Sequence, residues 1–456
     1  MDLLIELDPS RGRQAGLEDA LRRAVTSGQL AAGARLPSTR ALSKELGCAR
    51  ATVVAAYEQL IAEGFLVAAH GAGTRIASVP ISPQPRPDVG ARGTTYLADF
   101  RPGEPARSSF PRAQWGSSLR RALAGATDDL FGYGDPRGVP QLRAALATYL
   151  GRARAVVADP DQIVIFSGFA NALVVLTDTL RDLGRTTIAI EDPALPIHPH
   201  LCTRAGMTVE RVIVDAHGVQ VDALARTSAD AVLVTPAHQY PLGVALAPSR
   251  RTALVGWARA TDGWIIEDDY DGEFRYDRQP IGAMQGLDPD RVVYGGTASK
   301  TLAAGVHLAW LVLPRRLVEP VVETVRWREG VSAIEQAALA DFIATGRLDR
   351  HLRQMRAVYR RRRDALVAVL QAHAPWMEMT GISAGLHGTV ELDGPVARER
   401  EILDLARSHS VGLHPLSAHR SAPGPPGLVI GYSRPAAHEL SGALARLGQL
   451  VSSLSG

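Results

Sequence analysis

The sequence is poor in several features that would point to other classes of protein. It has two cysteines, Cys48 and Cys202, in 456 residues, so it cannot carry a disulfide framework, and a reducing compartment fits it best. Its longest apolar runs, such as ALVVL (172–176), are far too short to span a bilayer. The first ten residues, MDLLIELDPS, contain acids and no basic segment, unlike a secretory signal peptide. These absences together predict a cytoplasmic protein without a membrane partner.

The sequence also lacks a strong excess of charge of either sign. Its formal net charge at pH 7 is +3, from 50 Lys and Arg against 47 Asp and Glu. Binding to nucleic acid would therefore depend on a local basic patch rather than on the charge of the whole chain. The chain is nevertheless long and rich in apolar residues. The 456 residues, of which 46% are hydrophobic, exceed one ordinary core and predict two or more globular domains.

A proline-rich stretch divides the chain. Residues 79–98 include prolines at positions 80, 83, 85 and 87 and show no apolar periodicity. Proline at this density favours an extended, semi-rigid spacer, and a structureless loop of this length is uncommon inside a compact domain. We therefore expect a first domain over residues 1–78, a linker over 79–98 and a second domain over 99–456. The alternative is a long surface loop within one domain.

The first domain has the pattern of a winged helix, an α+β unit. Apolar residues repeat at helical spacing in 16–29, and LPSTRALSKELG (36–47) has a helix-capping serine, Ser38, and ends in glycine. RATVVAAYEQLIAEG (50–64) follows after a short turn, which is typical of a helix-turn-helix whose second helix enters the major groove. FLVAAHGAGTRIA (65–77) predicts two short strands around a glycine-rich tip.

These motifs resemble the winged-helix domain of the GntR family. The resemblance implies contacts to a DNA operator from both helices of the motif and from the wing tip. Backbone amides at a helix N-terminus attract phosphate, and arginine pairs bidentately with guanine. Ala49 stands where the family usually has a Ser or Thr cap before the recognition helix, a loss of about 1 kcal/mol. The residues implied in DNA binding are Ser38, Arg40, Arg50, Thr52, His70 and Gly71.

The second domain alternates apolar runs with helical stretches. Such alternation predicts an α/β fold with a largely parallel sheet, in which ligands bind at the carboxyl ends of the strands. Each run ends in a polar or glycine cluster, where side chains from different strands can converge. The runs are QIVIFSG (162–168), TTIAIED (186–192), AVLVTPAHQ (231–239), GWIIEDDYD (263–271) and RVVYGG (291–296).

Lys300 lies just past the last of these runs, in GGTASKTLAAG. The local sequence allows two roles for it, a structural ion pair or an amine that holds a carbonyl cofactor as a Schiff base. Other strand ends favour the second role. Asp268 is placed to keep a pyridine nitrogen protonated, and Tyr270 to reach the 3-oxygen of the same ring. Hydroxyls near Lys300 and backbone amides near Gly168 are suited to a phosphate.

Four segments resemble fold-type I aminotransferases, namely FGYGDPRGVPQLRAALATYL (131–150), TPAHQYPLG (235–243), IIEDDYDGEF (265–274) and GGTASKTLAAG (295–305). With the winged helix in front, the whole chain resembles MocR-type (GabR-like) regulators. The resemblance implies pyridoxal 5'-phosphate on Lys300, an effector carboxylate on Arg434, and a homodimer in which Tyr133 approaches the partner's cofactor. The other residues implied in cofactor binding are Asp268, Tyr270, Thr297, Ser299, His307, Gly168, Phe169 and Tyr240.

Three positions differ from this pattern, and all bear on cofactor affinity. Leu195 stands where the family usually has an aromatic that stacks on the pyridine ring, and Ala170 where it has glutamine. His307 stands where an arginine usually grips the phosphate; losing that charged fork would cost about 1.5–3 kcal/mol. Trp310 replaces the usual tyrosine and offers a candidate for a rebuilt pocket. The sequence leaves both decay and compensation open.

Three functions follow from these observations. The first is a DNA-binding regulator that senses pyridoxal phosphate, a related form of vitamin B6, or an adduct with a small amino compound. The second is a regulator whose degenerate cofactor site serves as a dimer scaffold. The third is a working aminotransferase with a DNA-binding appendage. The retained Lys300, Asp268 and Tyr270 favour the first, and the altered phosphate anchor argues most strongly against turnover.

Overall fold

The computed structural model describes residues 12–69, 73–78, 96–277, 281–328 and 330–454. The chain divides into two compact units, Met1–Thr94 and Thr95–Gly456. The division falls inside the proline-rich stretch, while the domain limits at 78 and 98 stay predictions. Within the described ranges, no helix has the length and apolar character needed to cross a membrane.

The N-terminal unit is the expected winged helix. Its elements are α1 (Arg13–Thr26), α2 (Thr39–Glu45), α3 (Arg50–Ala62), β1 (Leu66–Ala69) and β2 (Gly73–Ile76), the strands forming an antiparallel hairpin. The Ser38 hydroxyl accepts a hydrogen bond from the amide of Ala41, and Gly47 follows α2 with a φ of +58°. Ala49 precedes α3 without a side-chain cap. The predicted apolar stripes meet in one core that includes Leu17, Leu21, Val25, Leu42, Val53, Tyr57 and Leu60.

The larger unit contains the α/β domain. Its strands are β3 (Ala98–Asp99), β4 (Ile163–Phe166), β5 (Thr187–Asp192), β6 (Thr208–Asp215), β7 (Gly218–Val219), β8 (Ala231–Val234), β9 (Trp264–Asp268), β10 (Val292–Thr297), β11 (Ala309–Val312), β12 (Met379–Thr380), β13 (His387–Glu391), β14 (Val411–Gly412), β15 (His414–Pro415) and β16 (Gly427–Gly431). Its helices are α4 (Arg112–Ala124), α5 (Pro140–Arg154), α6 (Phe169–Asp182), α7 (Ile197–Arg204), α8 (Val221–Leu224), α9 (Pro248–Ala260), α10 (Ala298–Thr301), α11 (Arg315–Arg326), α12 (Ala333–Ala344), α13 (Arg347–His373), α14 (Ala397–Ser408) and α15 (Leu440–Ser453).

The main sheet has eight strands in the order β4-β11-β10-β9-β8-β5-β6-β7. Strands β10, β9, β8, β5 and β6 run parallel, whereas β11 pairs antiparallel with both β4 and β10. Ile163 and Ile165 of β4 pack into one apolar core, and Val164 and Phe166 into another. Burial on both faces explains why the sequence shows continuous apolar runs rather than alternation.

All five predicted strands are confirmed as β4, β5, β8, β9 and β10. The sequence analysis did not identify β6 or β11, nor the second sheet β12-β13-β16-β15. Short apolar runs of this kind do not distinguish strand from buried helix by periodicity. The consequence for the site is small, because the five confirmed strands are those whose carboxyl ends surround the cavity described next.

Candidate cofactor-binding site

A cavity of about 440 Å³ lies at the carboxyl ends of β4, β5, β8, β9 and β10. This is the edge at which ligands bind in parallel α/β sheets. The structure brings all nine of the cofactor residues named from the sequence to its wall. They are Lys300, Asp268, Tyr270, Thr297, Ser299, His307, Gly168, Phe169 and Tyr240.

The acidic stretch at the end of β9 contains one carboxylate that differs from its neighbours. Glu267 accepts the backbone amides of Met284 and Gln285, and Asp269 is paired with the buried guanidinium of Arg154 at 2.7 Å. Asp268 instead faces the cavity, and its Oδ1 is buried without a hydrogen-bond partner among the described residues. Burial is the main cause that raises its pKa to about 8, although Lys300 opposes this.

An orphaned buried oxygen is costly unless a ligand completes it. Asp268 therefore needs a ligand that donates a hydrogen bond from a cationic N–H. A protonated pyridine nitrogen is such a partner, since it would ionise the carboxyl and satisfy the free oxygen.

Lys300 lies in α10, directly after β10, and its Nζ donates a hydrogen bond to the carbonyl oxygen of Gly103. Burial lowers the pKa of this amine, while the nearby acids Asp268, Asp271 and Glu104 partly offset that effect. A lowered pKa increases the fraction of neutral amine, which is the nucleophilic form. Among the described residues, Lys300 contacts this carbonyl and forms no ion pair, so both the Schiff-base role and the structural role stay predictions at this point.

Tyr270 is held by a buried polar group behind it. Its hydroxyl donates to the carbonyl oxygen of His238 at 3.0 Å, and His238 Nδ1 lies 3.0 Å from a carboxylate oxygen of Asp271. Tyr240 packs edge-on against Tyr270, with ring centroids 5.9 Å apart. The two tyrosines therefore form a fixed wall of the cavity. His238, Asp271 and His387 have possible metal-ligating atoms within 4.8 Å of one another. His238 and Asp271 already contact each other, however, so these two groups are partnered without a metal.

The opposite end of the cavity is suited to an anion. Helix α6 begins at Phe169, after Gly168 with a φ of +131°, and its first residues, Phe169 and Ala170, line the cavity. The amides of a helix's first turn have no intrahelical partner and attract anions. Thr297 and Ser299 line the same space, but the Thr297 hydroxyl already accepts the amide of Ser299. His307 is exposed and has a φ of +49°. A phosphate at this end would therefore be bound by the backbone amides of α6 and the imidazole of His307, without an arginine.

Two residues that the sequence analysis missed also line the cavity. Glu191, buried at the end of β5, accepts hydrogen bonds from the amide and hydroxyl of Thr235, and burial raises its pKa to about 7. His198 lies 3.8 Å from Asp268 and packs against Phe169; burial lowers its pKa to about 4. A buried Glu after a strand was visible in the sequence as EDPAL, whereas nothing local distinguished His198 from the neighbouring histidine in IHPH.

The proposal that Trp310 helps rebuild the cavity is not supported by its position. Trp310 is buried in an apolar core, and its indole lies against Gly296, where an added Cβ would be 2.4 Å from Nε1. It is not among the residues that line the cavity. Leu195 and Ala170, by contrast, do line it. The substitutions at 195, 170 and 307 therefore face the cavity, and the one at 310 does not.

Arg434, named from the sequence as the effector-binding residue, is not on the cavity wall. Its guanidinium forms ion pairs with Asp99 at 2.7 Å and with Glu104 at 3.0 Å. Gly103, one residue before Glu104, does line the cavity. The loop that carries these acids thus lies against both the lysine and the arginine.

In the N-terminal unit, the predicted DNA-binding residues lie around the turn between α2 and α3. Ser38, Arg40 and Arg50 are exposed, and Thr52 is half-buried. The Arg50 Nε is 3.4 Å from the Thr39 hydroxyl, so the guanidinium stays close to the start of α2. His70 and Gly71, at the predicted wing tip, fall outside the described residues.

Comparisons with known proteins agree with both units. Residues 13–76 match the bacterial regulatory proteins of the gntR family, and residues 106–394 match aminotransferase class I and II. The chain is 32% identical to a probable rhizopine catabolism regulatory protein, MocR, of Rhizobium meliloti, over 94% of this chain and 92% of that protein.

Two further likenesses extend over most of the chain. An HTH-type pyridoxine biosynthesis transcriptional regulator, PdxR, of Corynebacterium glutamicum is 32% identical and covers 99% of each protein. Over 80% of the chain the fold is similar to that of an archaeal alanine:glyoxylate aminotransferase, with a TM-score of 0.71, 24% identity and coverage of 92% of that structure. The chain therefore belongs to the MocR-like subfamily of GntR-family transcription regulators, in which a winged helix precedes an aminotransferase-like domain.

Proposed function

We propose that this regulator binds pyridoxal phosphate through Lys300 and changes its affinity for DNA when the cofactor, or its combination with a small amino compound, is present. The observation that carries the proposal is the meeting of Lys300 and the unpartnered oxygen of Asp268 in one cavity. The relative named as a regulator of pyridoxine biosynthesis, which covers 99% of this chain, supports a link to vitamin B6.

Each part of the cavity has a role in this proposal. Asp268 faces the ring nitrogen, Tyr270 and Tyr240 form the wall beside the ring, and Lys300 supplies the amine. The amides of α6 with Ser299 and His307 receive the phosphate. When bound, pyridoxal phosphate supplies an aldehyde that amines attack and a ring that withdraws electrons. We further propose that Arg434 receives the carboxylate of an amino-compound effector.

The regulator acts as a homodimer in this proposal, since paired winged helices read two half-sites. Tyr133 is fully exposed, and Phe131 is 62% exposed. Two exposed aromatics within three positions are typical of a protein interface. Light scattering or sedimentation should give twice the chain mass, and Tyr133→Ala should weaken association.

A second candidate is a regulator that no longer binds the cofactor tightly. It is favoured by the three cavity-facing substitutions at Ala170, Leu195 and His307. It predicts that DNA binding is indifferent to pyridoxal phosphate at micromolar concentration. A working aminotransferase would instead convert the added amino compound in many cycles, which a product assay detects.

The DNA-binding half of the proposal is tested with two arginine variants. Arg50→Ala should weaken binding and blur base preference, because Arg50 opens the recognition helix. Arg40→Ala should mainly lower affinity and reduce the salt dependence, because a phosphate contact carries no sequence information. If both variants give the parent's footprint, the recognition-helix assignment is wrong. Adding pyridoxal phosphate should change operator affinity in the parent and leave it unchanged in Lys300→Ala.

A further inference from the structure

Arg434 is already occupied by the protein's own carboxylates. Its Nη1 donates to Asp99 and its Nη2 lies 3.0 Å from Glu104. The third nitrogen of the guanidinium, Nε, is buried and has no hydrogen-bond partner among the described residues. An incoming carboxylate needs two parallel donors to be held by an arginine fork, and it would meet two like charges within contact distance. It can bind Arg434 in that way only if one of the acids leaves.

The arginine itself is firmly placed. Arg362, buried in α13, donates from Nη1 to the backbone carbonyls of Tyr432, Ser433 and Pro435 at 3.3, 2.6 and 2.8 Å. These carbonyls bracket Arg434 on both sides in the chain. The part that can exchange partners is therefore the acidic segment rather than the arginine.

Asp99 is fixed in β3, which pairs with β14, whereas Glu104 lies in a short bridge between two anchored points. Phe100 is fully buried, and its backbone bonds to Gly412 and Gly431. At the other end, the amide of Ala106 donates to the buried hydroxyl of Tyr359. Residues 101–105 span these points, and Gly103 has a φ of +105°, a conformation that L side chains rarely adopt. We refer to residues 101–105 as the acidic bridge.

The same bridge also engages the lysine, because the Gly103 carbonyl accepts the hydrogen bond from Lys300 Nζ. One short segment thus contacts both groups that an amino carboxylate would need, the amine-reactive centre and the arginine. It begins at residue 101, shortly after the proline-rich stretch (79–98) that leads to the DNA-binding unit. Displacing it would alter the chain at the point where the linker enters the larger unit.

We propose that Asp99 and Glu104 are specificity-determining residues that act as an internal ligand of Arg434, so that a carboxylate effector binds only by displacing the acidic bridge. This rests on the proposed function of the cavity. Under this proposal the effector is an amino carboxylate that competes with Glu104 for Arg434. The acidic bridge is then the first segment to move when the effector binds. Amines without a carboxylate leave the bridge in place.

The test compares Glu104→Gln with Arg107→Gln in full-length protein loaded with pyridoxal phosphate. Glu104 also pairs with the exposed Arg107, so the second variant removes that contact without touching Arg434. Glycine, L-alanine and β-alanine serve as probes, with ethylamine as the matched amine that lacks a carboxylate. Binding is followed by the change in the visible absorbance, and movement of the bridge by hydrogen exchange of peptides that cover residues 96–106.

We expect Glu104→Gln to bind the amino carboxylates about tenfold more tightly than the parent, because the competing charge is gone. Ethylamine should change less than twofold, and Arg107→Gln should match the parent or bind carboxylates more weakly. Exchange in the bridge should rise with a carboxylate probe and not with ethylamine. Equal carboxylate affinities in the two variants, no carboxylate binding to Glu104→Gln, or unchanged exchange at saturation would each overturn the proposal. If instead the proposed function were wrong, protein incubated with pyridoxal phosphate would show no visible band, which distinguishes that outcome from the three above.

Discussion

The two ends of the cavity differ in how they are built. At the sheet end, Asp268 ends β9 and Lys300 follows the neighbouring parallel strand β10, and partnered acids, tyrosines and His238 surround them. At the helix end, the wall is formed by Phe169 and Ala170 in the first turn of α6, by Ser299 and by the exposed His307. The first end depends on buried groups whose replacement would leave unsatisfied charges, whereas the second tolerates change at low structural cost. Substitutions at the two ends should therefore differ in their effect on cofactor binding.

The largest effect is expected at Lys300. Lys300→Ala should abolish the visible band of the loaded protein, because the chain retains no amine in the cavity to hold the cofactor. DNA binding without cofactor should persist, since the N-terminal unit has its own core. Lys44→Arg is the matched control, as Lys44 and Lys300 are the two lysines in the sequence. The same band in Lys300→Ala would show that the sheet end does not hold the cofactor.

The next effect should appear at the helix end. His307→Arg should tighten pyridoxal phosphate by up to about a hundredfold, because a charged fork replaces one imidazole donor. The exposed position of His307 leaves room for the longer side chain, and the indole of Trp310 is packed against Gly296, away from the cavity wall.

Titration of the apo-protein, followed by absorbance, measures this change. His438→Arg, at a side chain 82% exposed and off the cavity wall, is the control for added charge. Weaker binding in His307→Arg would mean that the helix end was remodelled around histidine, and an unchanged affinity would mean that residue 307 does not face the phosphate.

Asp268→Asn should weaken the binding of pyridoxal phosphate about tenfold, because the amide accepts a hydrogen bond but carries no charge.

In the apo-protein, Asp268→Asn should stabilise the folded state, and the size of this effect should depend on pH. The folded protein keeps the Asp268 proton up to about pH 8, whereas the unfolded chain loses it near pH 4. The folded state therefore binds more protons in this window, and raising the pH destabilises it.

Thermal unfolding of apo-protein between pH 4 and 8 checks this sign. The stability gain of Asp268→Asn over the parent should grow as the pH rises through the window. Glu378→Gln, which removes an exposed carboxyl, should show no such trend. A gain that is constant with pH would contradict the protonated state assigned to Asp268.

The smallest effect is expected at Leu195. Leu195→Tyr places an aromatic face on the cavity wall and should tighten the cofactor by roughly 1 kcal/mol, or about fivefold. Leu183→Tyr, at an exposed leucine away from the cavity, controls for the added aromatic. The double variant with His307→Arg need not be additive, because both side chains act on one ligand. No gain at Leu195 would show that stacking there is not limiting.

The sequence identified the five strands around the cavity and nine residues on its wall, because motifs placed at strand ends converge wherever the sheet is parallel. It singled out Asp268 among the clustered acids, but it could not show that backbone amides satisfy Glu267 and that Arg154 pairs with Asp269. It also missed His198 and the pairing of Arg434 with Asp99 and Glu104. Those contacts join residues 70 to 335 positions apart and leave no local pattern.

The central claim, that Lys300 holds pyridoxal phosphate in this cavity, is tested most directly by reduction. Lys44→Arg protein, which retains Lys300 alone, is loaded with pyridoxal phosphate, treated with borohydride, digested and mapped by mass spectrometry. The account predicts a visible band that reduction removes and one pyridoxyl group per chain, on the peptide containing Lys300. A protein that shows no band and takes up no label at saturating cofactor would contradict it.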